Sequence, residues 1–296
     1  MIRLGALGNI VQSLGPFAAI RAHHADAEVT LLTRAPYAAW LAGAPFFDRV
    51  WIDEAPAGWD LPGWWRLRRL LIAGRFDRVY DLQTSARSNR YFHLLPRRAR
   101  PEWSGIARGC SHPDSDPARD TRHDLDRQRG QLAAAGIATV PDAPLAWTDG
   151  ALARFDLPHE IALLVPGSAP HRPAKRWPIA HYAALARTLA ARGIAPIAVG
   201  GADERTLGAA LGAAGARDLT GQTTLGEVVA LARRATLAIG NDTGPMHLIA
   251  AAGCRSIVLF SSASDPALCA PRGPRVALLR RPDLADLTPA DVFALI

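Results

Sequence analysis

The fold of this chain is constrained most by an alternation of short apolar runs with segments of helical character, which occurs twice along its 296 residues. Apolar runs at 28–33, 77–82, 161–165 and 256–260 are typical of buried strands. Strands that alternate with helices along a chain form parallel sheets with helices packed on both faces. The sequence therefore predicts an α/β protein with two Rossmann-like, doubly wound parallel sheets.

A boundary between two domains is predicted where Pro, Asp and Gly accumulate between Pro141 and Pro158. It divides the chain into two domains of ordinary size, 1–150 and 151–296. In doubly wound folds, ligands bind beyond the carboxyl ends of the strands. With two such domains, we expect the functional site in the cleft between them.

Local signals in the first half give further expectations. Residues 2–7 are predicted to form the first strand, followed by a turn at Gly8-Asn9 and one helix over 10–23. The segment 101–120 is polar and Pro-rich without periodicity, which predicts a surface loop. Because the first strand is so short, we expect the natural start of the protein a few residues upstream.

Composition limits the class of protein. A hydrophobic content of 49% and a charged content of 21% are typical of a soluble globular chain. The three cysteines are not spaced like metal ligands, which indicates a reducing cellular environment without a disulfide framework. Glycines, Pro16 and polar residues interrupt the apolar run at 4–20, and no apolar run reaches the roughly 20 residues that span a bilayer. We expect a cytoplasmic protein.

The formal net charge of +7 indicates anionic partners. Nucleic acid is not expected, because the arginines are dispersed and no zinc-finger spacing, RNA-binding aromatic signature or long basic run occurs. Two local basic clusters occur, Trp64–Arg69 and Arg97–Arg100, and the tryptophans beside the arginines of the first suit an anionic membrane surface. A solvated basic face with two core tryptophans explains the same residues equally well.

The most informative short segment is GNDTGPMHLIAAAG, residues 240–253. An apolar strand precedes its polar turn and an Ala-rich helix follows it. Small polar residues can cap such a helix, and proline suits its first turn. The free N–H groups and the dipole at a helix start favour an anion, although an ordinary capped helix is the alternative. The candidate residues in this turn are Asp242, Thr243, Gly244, Pro245 and His247.

A second signal for an anion is Lys175, the single lysine among 34 basic residues. It lies in PGSAPHRPAKRWP, residues 166–178, directly after the strand predicted at 161–165. A compact ammonium differs from a guanidinium in its geometry and hydration, so a lone lysine indicates a specific role. Contact with a phosphate is the favoured hypothesis, and survival of one lysine by chance is the alternative.

These two motifs, with LGALGNIVQSLGPFAAIR near the start, YDLQTSARS in the middle and GGADE at 200–204, resemble glycosyltransferase family 9. This family comprises the ADP-heptose:lipopolysaccharide heptosyltransferases, and the resemblance covers nearly the whole chain. It implies the GT-B architecture, with the acceptor at 1–150 and the nucleotide-sugar donor at 151–296. It also implies an ADP-linked donor, a lipopolysaccharide-type acceptor and no bound cofactor.

The resemblance assigns roles to residues of the second domain. Lys175 matches the lysine that contacts the donor phosphates, and the turn at 242–247 matches the donor-binding turn. Asp203 or Glu204 falls where a carboxylate accepts hydrogen bonds from the ribose hydroxyls. The remaining donor-binding candidates are Ser168, in the lysine loop, and Thr223, near the expected position of the base. No metal is expected, because Lys175 and the helix start can neutralise the departing phosphates.

Asn9 departs from the family pattern G-x-x-G-D, in which the aspartate is the proposed catalytic base. An amide cannot accept a proton near neutral pH, so Asn9 can orient an acceptor hydroxyl but cannot deprotonate it. Either another group is the base, with Asp242 the next candidate, or stabilisation of the leaving group supplies most of the catalysis. A simpler reading is that Asn9 suits the turn after Gly8.

Three functions follow from these observations. The leading hypothesis is an inverting, metal-independent glycosyltransferase that moves a sugar, expected to be a heptose, to a lipopolysaccharide-type glycan. The alternative is a protein that binds a nucleotide sugar without transferring it, because Asn9 replaces the usual aspartate. A nucleotide-sugar epimerase is least favoured, since His171, Asp242 and His247 provide too few acid–base groups.

Overall fold

The computed structural model describes residues 1–296 and divides into two compact units, Met1–Trp147 and Thr148–Ile296. Each unit consists of parallel strands and helices, as the alternation in the sequence predicts. None of the helices combines the length and the apolar content that crossing a bilayer requires.

The first unit contains five short strands and six helices. The strands are β1 (Thr30–Thr33), β2 (Arg49–Ile52), β3 (Arg78–Tyr80), β4 (Glu102–Gly105) and β5 (His112–Pro113). The helices are α1 (Leu7–Gln12), α2 (Leu14–His23), α3 (Ala35–Leu41), α4 (Leu61–Ala73), α5 (Ala86–Leu94) and α6 (Asp124–Ala134).

Ile2 joins the two parallel groups of strands in this unit. It forms parallel bridges to Leu32 of β1 and to Asp81 just after β3. Its N–H donates to the carbonyl of Tyr80 at 2.9 Å, and the N–H of Leu32 donates to the carbonyl of Met1 at 2.9 Å. The spatial order is therefore β2–β1–Ile2–β3–β4–β5. Counted with Ile2 as the first strand, this is the Rossmann order 3-2-1-4-5-6.

The second unit has a continuous sheet of six parallel strands. The strands are β6 (Ile161–Val165), β7 (Ala195–Ala198), β8 (Arg217–Asp218), β9 (Leu237–Asn241), β10 (Ser256–Phe260) and β11 (Val276–Arg280). The helices are α7 (Ile179–Ala191), α8 (Arg205–Gly212), α9 (Leu225–Arg234), α10 (Gly244–Ala251), α11 (Pro266–Cys269) and α12 (Pro289–Phe293). The order β8–β7–β6–β9–β10–β11 is again the Rossmann order.

The core of the second unit explains why its strands are continuous apolar runs. Every residue of β6, β9 and β10 is buried, because helices cover both faces of the sheet. The largest buried side chains of this core include Trp177, Tyr182 and Phe260.

The start of the chain differs from the expectation. The predicted strand 2–7 is reduced to the single bridging residue Ile2, and the predicted helix 10–23 is two helices, α1 and α2, that meet at Ser13. The break places Pro16 in the first turn of α2, where its missing N–H leaves no bond unmade. Asn9 consequently lies within α1 and not in a turn after Gly8.

The segment 101–120 was also expected to be a loop, and this is wrong. It contains β4 and β5, with Trp103 and Ser104 buried. These strands are short and lack alternation, so their conformation depends on pairing with β3, where Arg78 lies opposite Glu102. Pairing between distant segments leaves no periodic signal in the local sequence.

Candidate functional site

Two loops meet where the strand order of the second unit reverses. β6 and β9 are neighbours in the sheet although two other strands lie between them in the chain. Segment 166–178 follows β6, and segment 242–247 follows β9. A crevice opens beyond the carboxyl ends of strands at such a switch point. The two motifs that carry the strongest sequence signals therefore converge on the place where doubly wound folds bind ligands.

Lys175 and Asp242 form the centre of this arrangement. Lys175 ends a short 3-10 turn, and its Nζ donates to Oδ2 of Asp242. The two side chains are only 12% and 6% exposed. The other carboxylate oxygen of Asp242 lies 3.9 Å from Nε2 of His247. Three predicted residues from two segments thus form one polar cluster, centred on the Lys175–Asp242 ion pair, beside the start of α10.

The environment of Asp242 determines its protonation state. Burial alone would raise its pKa, but the contacts of His247 and Lys175 and the lysine charge outweigh burial and lower the pKa to about 2. Asp242 is therefore ionised at neutral pH and has little affinity for a proton. This property suits a residue that holds a cation, and it makes Asp242 a weak general base.

The helix start after Asp242 presents backbone groups. Thr243 is the N-cap residue of α10 in extended conformation, Gly244 opens the helix, and Pro245 lies in the first turn as expected. The expected side-chain capping is absent, because neither Asp242 nor Thr243 bonds to the N–H groups of this turn. The N–H groups at the start of α10 are therefore not used by a side-chain cap.

Only one of the two carboxylates predicted for the ribose packs against the loop that carries Lys175. Glu204 lies against Gly167 and Gly200, where an added Cβ would come within 1.5 Å and 2.2 Å of its carboxylate oxygens. Burial raises the pKa of Glu204, although an N–H donated by Gly201 at 2.8 Å favours the charged form. Asp203 is exposed. The structure therefore places a carboxylate from the loop after β7 beside the loop after β6.

Ser168 and Thr223 have different surroundings. Ser168 is buried, its hydroxyl donates to the carbonyl of Arg172 at 3.2 Å, and it accepts from Nε of Arg176 at 3.2 Å. It thus braces the lysine loop internally. Thr223 is half-buried just before Thr224, whose side chain caps α9.

Sequence reasoning missed Asn241, the last residue of β9. Its side chain is fully buried and bonds to the loop that carries Lys175. The available signal was its place beside Asp242 in a strand that is otherwise apolar.

In the first unit, Asn9 lies in α1, the helix that follows the bridging residue Ile2 in the chain. Its exposed side chain covers Gly5, where a Cβ would lie 2.4 Å from Nδ2. Its carbonyl accepts from Nε of Arg3 at 3.2 Å and from Oγ of Ser13 at 2.9 Å. The backbone is helical, so the tolerance of asparagine for left-handed geometry is not used here.

The Trp64–Arg69 cluster is divided by the fold. Trp64 packs inward: its Nε1 donates to the carbonyl of Ala57 at 2.8 Å, and Arg87 stacks on its ring at 5.1 Å. Trp65 is 55% exposed and carries Arg69 over its ring at 4.7 Å. Only one tryptophan of the pair thus belongs to the surface.

No group of three or more His, Cys, Asp or Glu side chains in the chain is arranged to hold a metal ion.

Comparison with known proteins finds one family model and several relatives that match this chain. Residues 64–287 match the model of glycosyltransferase family 9 (heptosyltransferase). The chain is 36% identical over 243 residues to lipopolysaccharide heptosyltransferase 2 of Salmonella typhimurium, which covers 73% of this chain and 68% of that protein. It is 34% identical over 115 residues to lipooligosaccharide heptosyltransferase 2 of Haemophilus influenzae, covering 36% of this chain and 33% of that relative. The latter match spans about a third of the relative's length.

A solved structure shares the fold. The structure of Escherichia coli ADP-heptose LPS heptosyltransferase II superposes with a TM-score of 0.77 at 21% identity. The superposition covers 99% of this chain and 96% of that chain. The fold is therefore of the GT-B class, with two Rossmann-like parallel-sheet units.

Proposed function

This chain belongs to glycosyltransferase family 9, and we propose that it is an inverting transferase that moves a heptosyl group from an ADP-linked donor to a lipopolysaccharide-type acceptor. The names of its relatives support the sugar and the acceptor, and the E. coli structure that shares its fold supports the ADP-linked donor. The observation that carries the proposal is the Lys175–Asp242 pair beside the start of α10, at the switch point of the second sheet.

The chemistry requires stabilisation of a diphosphate leaving group. An acceptor hydroxyl forms a new C–O bond at the anomeric carbon while the bond to the diphosphate breaks and ADP leaves with the electron pair. Lys175 supplies a positive charge, and the start of α10 supplies N–H groups, where negative charge grows on the phosphates. Such preorganised groups contribute most where they are shielded from water, as this largely buried lysine is.

The remaining site residues take supporting roles in this proposal. Asp242 holds Lys175 in place and does not act as the base, because its pKa of about 2 gives it little proton affinity. Glu204 is preferred over Asp203 as the acceptor for the ribose hydroxyls, since its carboxylate lies beside the lysine loop. We assign Thr223 to the nucleotide base of the donor. The donor phosphates are assigned to Thr243, Gly244, Pro245 and His247.

Asn9 is assigned to the acceptor side. Its exposed amide can orient an incoming hydroxyl, and the proton passes to another acceptor or to water. Catalysis then depends mainly on the leaving-group side, which is the half of the reaction that Lys175 serves.

The test is release of ADP from ADP-heptose in the presence of a heptose-accepting lipopolysaccharide core. We expect ADP release that requires both substrates and falls sharply in Lys175→Ala. The exposed Asp286 lies in the same unit without an ion pair to a basic residue, so Asp286→Asn is the matched control. Tight binding of ADP-heptose without acceptor-dependent ADP release would contradict transfer and leave only a binding protein.

We also infer that the first unit contacts the cytoplasmic face of an anionic membrane, where a lipid-linked acceptor is found. Exposed apolar side chains cluster at the start of α4: Trp59 is 86% exposed and Leu61 is 74% exposed, and Trp65 continues the face. Arg66 and Arg69 follow on the exposed side of the same helix. Tryptophan beside arginine is suited to the headgroup level, where the ring is half solvated and the cation meets phosphate.

Vesicle binding tests this contact. Binding should require anionic lipid and weaken as salt rises, because charges are screened over about 10 Å at 0.1 M salt. Trp59→Ser and Trp65→Ser should weaken binding. Leu278→Ser removes an apolar side chain that is 43% exposed on the second unit and should not. Equal binding to neutral and anionic vesicles would contradict the assignment.

A further inference from the structure

Asn241 connects the end of β9 to the loop that carries Lys175. Its Nδ2 donates to the carbonyls of Pro166 at 2.8 Å and Gly167 at 3.2 Å. Its Oδ1 accepts from the backbone N–H of Trp177 at 3.0 Å and shares the single hydroxyl proton of Tyr182, at 3.1 Å, with a backbone carbonyl of β6. Both amide N–H groups and the amide oxygen of Asn241 therefore have partners.

These contacts bracket the lysine loop at both ends. Pro166 and Gly167 begin the loop directly after β6, and Trp177 ends it two residues after Lys175. Between them, the loop consists of proline-containing turns without a regular element longer than three residues. A segment of this kind is positioned by the hydrogen bonds at its two ends, because it has no regular hydrogen-bond pattern of its own.

Asn241 and Asp242 act on the loop from adjacent positions. Asn241 holds the backbone N–H of Trp177, and Asp242 binds the ammonium of Lys175. The indole of Trp177 is itself held, since its Nε1 donates to the carbonyl of Leu287 at 2.8 Å. One end of β9 thus fixes both the main chain of the loop and its charged side chain.

We propose that Asn241 is a positioning residue that places Lys175 against the donor diphosphate. The inference rests on the proposed function, because it requires Lys175 to contact that diphosphate. Asn241 is buried behind the lysine loop, so it acts on the ligand through Lys175 and does not touch it. Without its bonds, two carbonyls and one N–H of the loop lose their partners, and the loop no longer has one preferred position.

A double-mutant cycle on ADP binding tests the proposal. In the wild-type background, Lys175→Ala should weaken ADP binding about 10- to 150-fold, the range for a hydrogen bond to a charged group. In the Asn241→Ala background, the same change should cost less than about threefold, because the lysine is already displaced. Coupled residues depart from additivity in this way, whereas independent ones do not.

Two controls separate positioning from loss of stability, and a second Asn241 variant keeps the cycle measurable. Leu211→Ala removes a fully buried side chain of α8, which belongs to the same core but not to the loop, and should leave the effect of Lys175→Ala unchanged. Tyr182→Phe removes one partner of Oδ1 and leaves the loop contacts in place, so ADP binding should change little. Asn241→Ser, which keeps a polar group, replaces Asn241→Ala in the cycle if the alanine variant does not fold.

The outcomes are distinguishable. An equal cost of Lys175→Ala in the wild-type and Asn241-substituted backgrounds would overturn the positioning role of Asn241. Absence of ADP binding by the wild type, or no effect of Lys175→Ala in it, would instead contradict the proposed function.

Discussion

The Lys175–Asp242 pair should contribute stability that depends on pH, and Asp242→Asn removes it. Burial alone would raise the pKa of Asp242, but His247 and Lys175 lower it from 3.8 to about 2. One pKa unit corresponds to about 1.4 kcal/mol, so this shift amounts to about 2 kcal/mol in the free energy of unfolding. Solvent screening removes little of this value, because the side chains are 12% and 6% exposed.

The sign of the pH dependence follows from the direction of the shift. Because the folded pKa of Asp242 lies below the unfolded value, the stabilisation is present above pH 3.8 and is lost as the pH falls towards 2. At pH 7, Asp242→Asn should therefore lower stability by about 2 kcal/mol or more, since the ammonium of Lys175 is left buried without its counter-charge. Below pH 2, wild-type Asp242 is also neutral, and the difference should vanish.

Amide hydrogen exchange of β6 and β9 peptides in the full chain measures the opening free energy of the second unit by itself. Asp286→Asn, which alters an exposed carboxylate of the same unit, is the control and should change this free energy little at any pH. A deficit in Asp242→Asn that stays constant from pH 7 to pH 2 would refute the reasoning, as would the absence of a deficit at pH 7.

Three further predictions follow from named residues. Lys175→Arg should recover only part of the ADP affinity lost in Lys175→Ala, measured by calorimetry, because the guanidinium is larger and planar; full recovery would show that charge alone matters. Asn9→Asp should raise turnover, since a positioned base typically contributes about 10²- to 10⁴-fold, and an unchanged rate would place the base elsewhere. Burial raises the pKa of Asp81 to about 6 against contacts that lower it, so charging this group opposes folding as the pH rises above 3.8. Asp81→Asn should therefore stabilise β3 by up to about 3 kcal/mol at pH 7 and not below pH 3.8, as hydrogen exchange can measure.

Much of the second unit could be predicted from local sequence. The predicted bounds of β6 and β10 agree with the structure, because a strand buried on both faces is apolar at every position. The start of α10 could be predicted equally well, because Pro245 has no N–H and therefore fits the first turn of a helix better than its interior. The same local reasoning identified the segments that carry Lys175 and Asp242 as candidate sites.

The structure of the first unit could not be predicted where it depends on pairing between strands that lie far apart in the chain. β4 and β5 have no alternating pattern, and they exist as strands because β3 supplies their hydrogen-bond partners. The first strand is likewise one residue, Ile2, whose role comes from neighbours on both sides. Propensity is a weak guide when partners from elsewhere in the chain determine the backbone.

Local sequence identifies the residue types of the candidate site, whereas folding establishes which of them contact one another. Only the fold shows that Asp242 pairs with Lys175, which makes it a holder of a cation and a poor base. Only the fold shows that Glu204, and not the exposed Asp203, packs against Gly167 and Gly200. Burial and electrostatic coupling depend on separations in space, and residues far apart in the chain acquire those separations only when the sheet has formed.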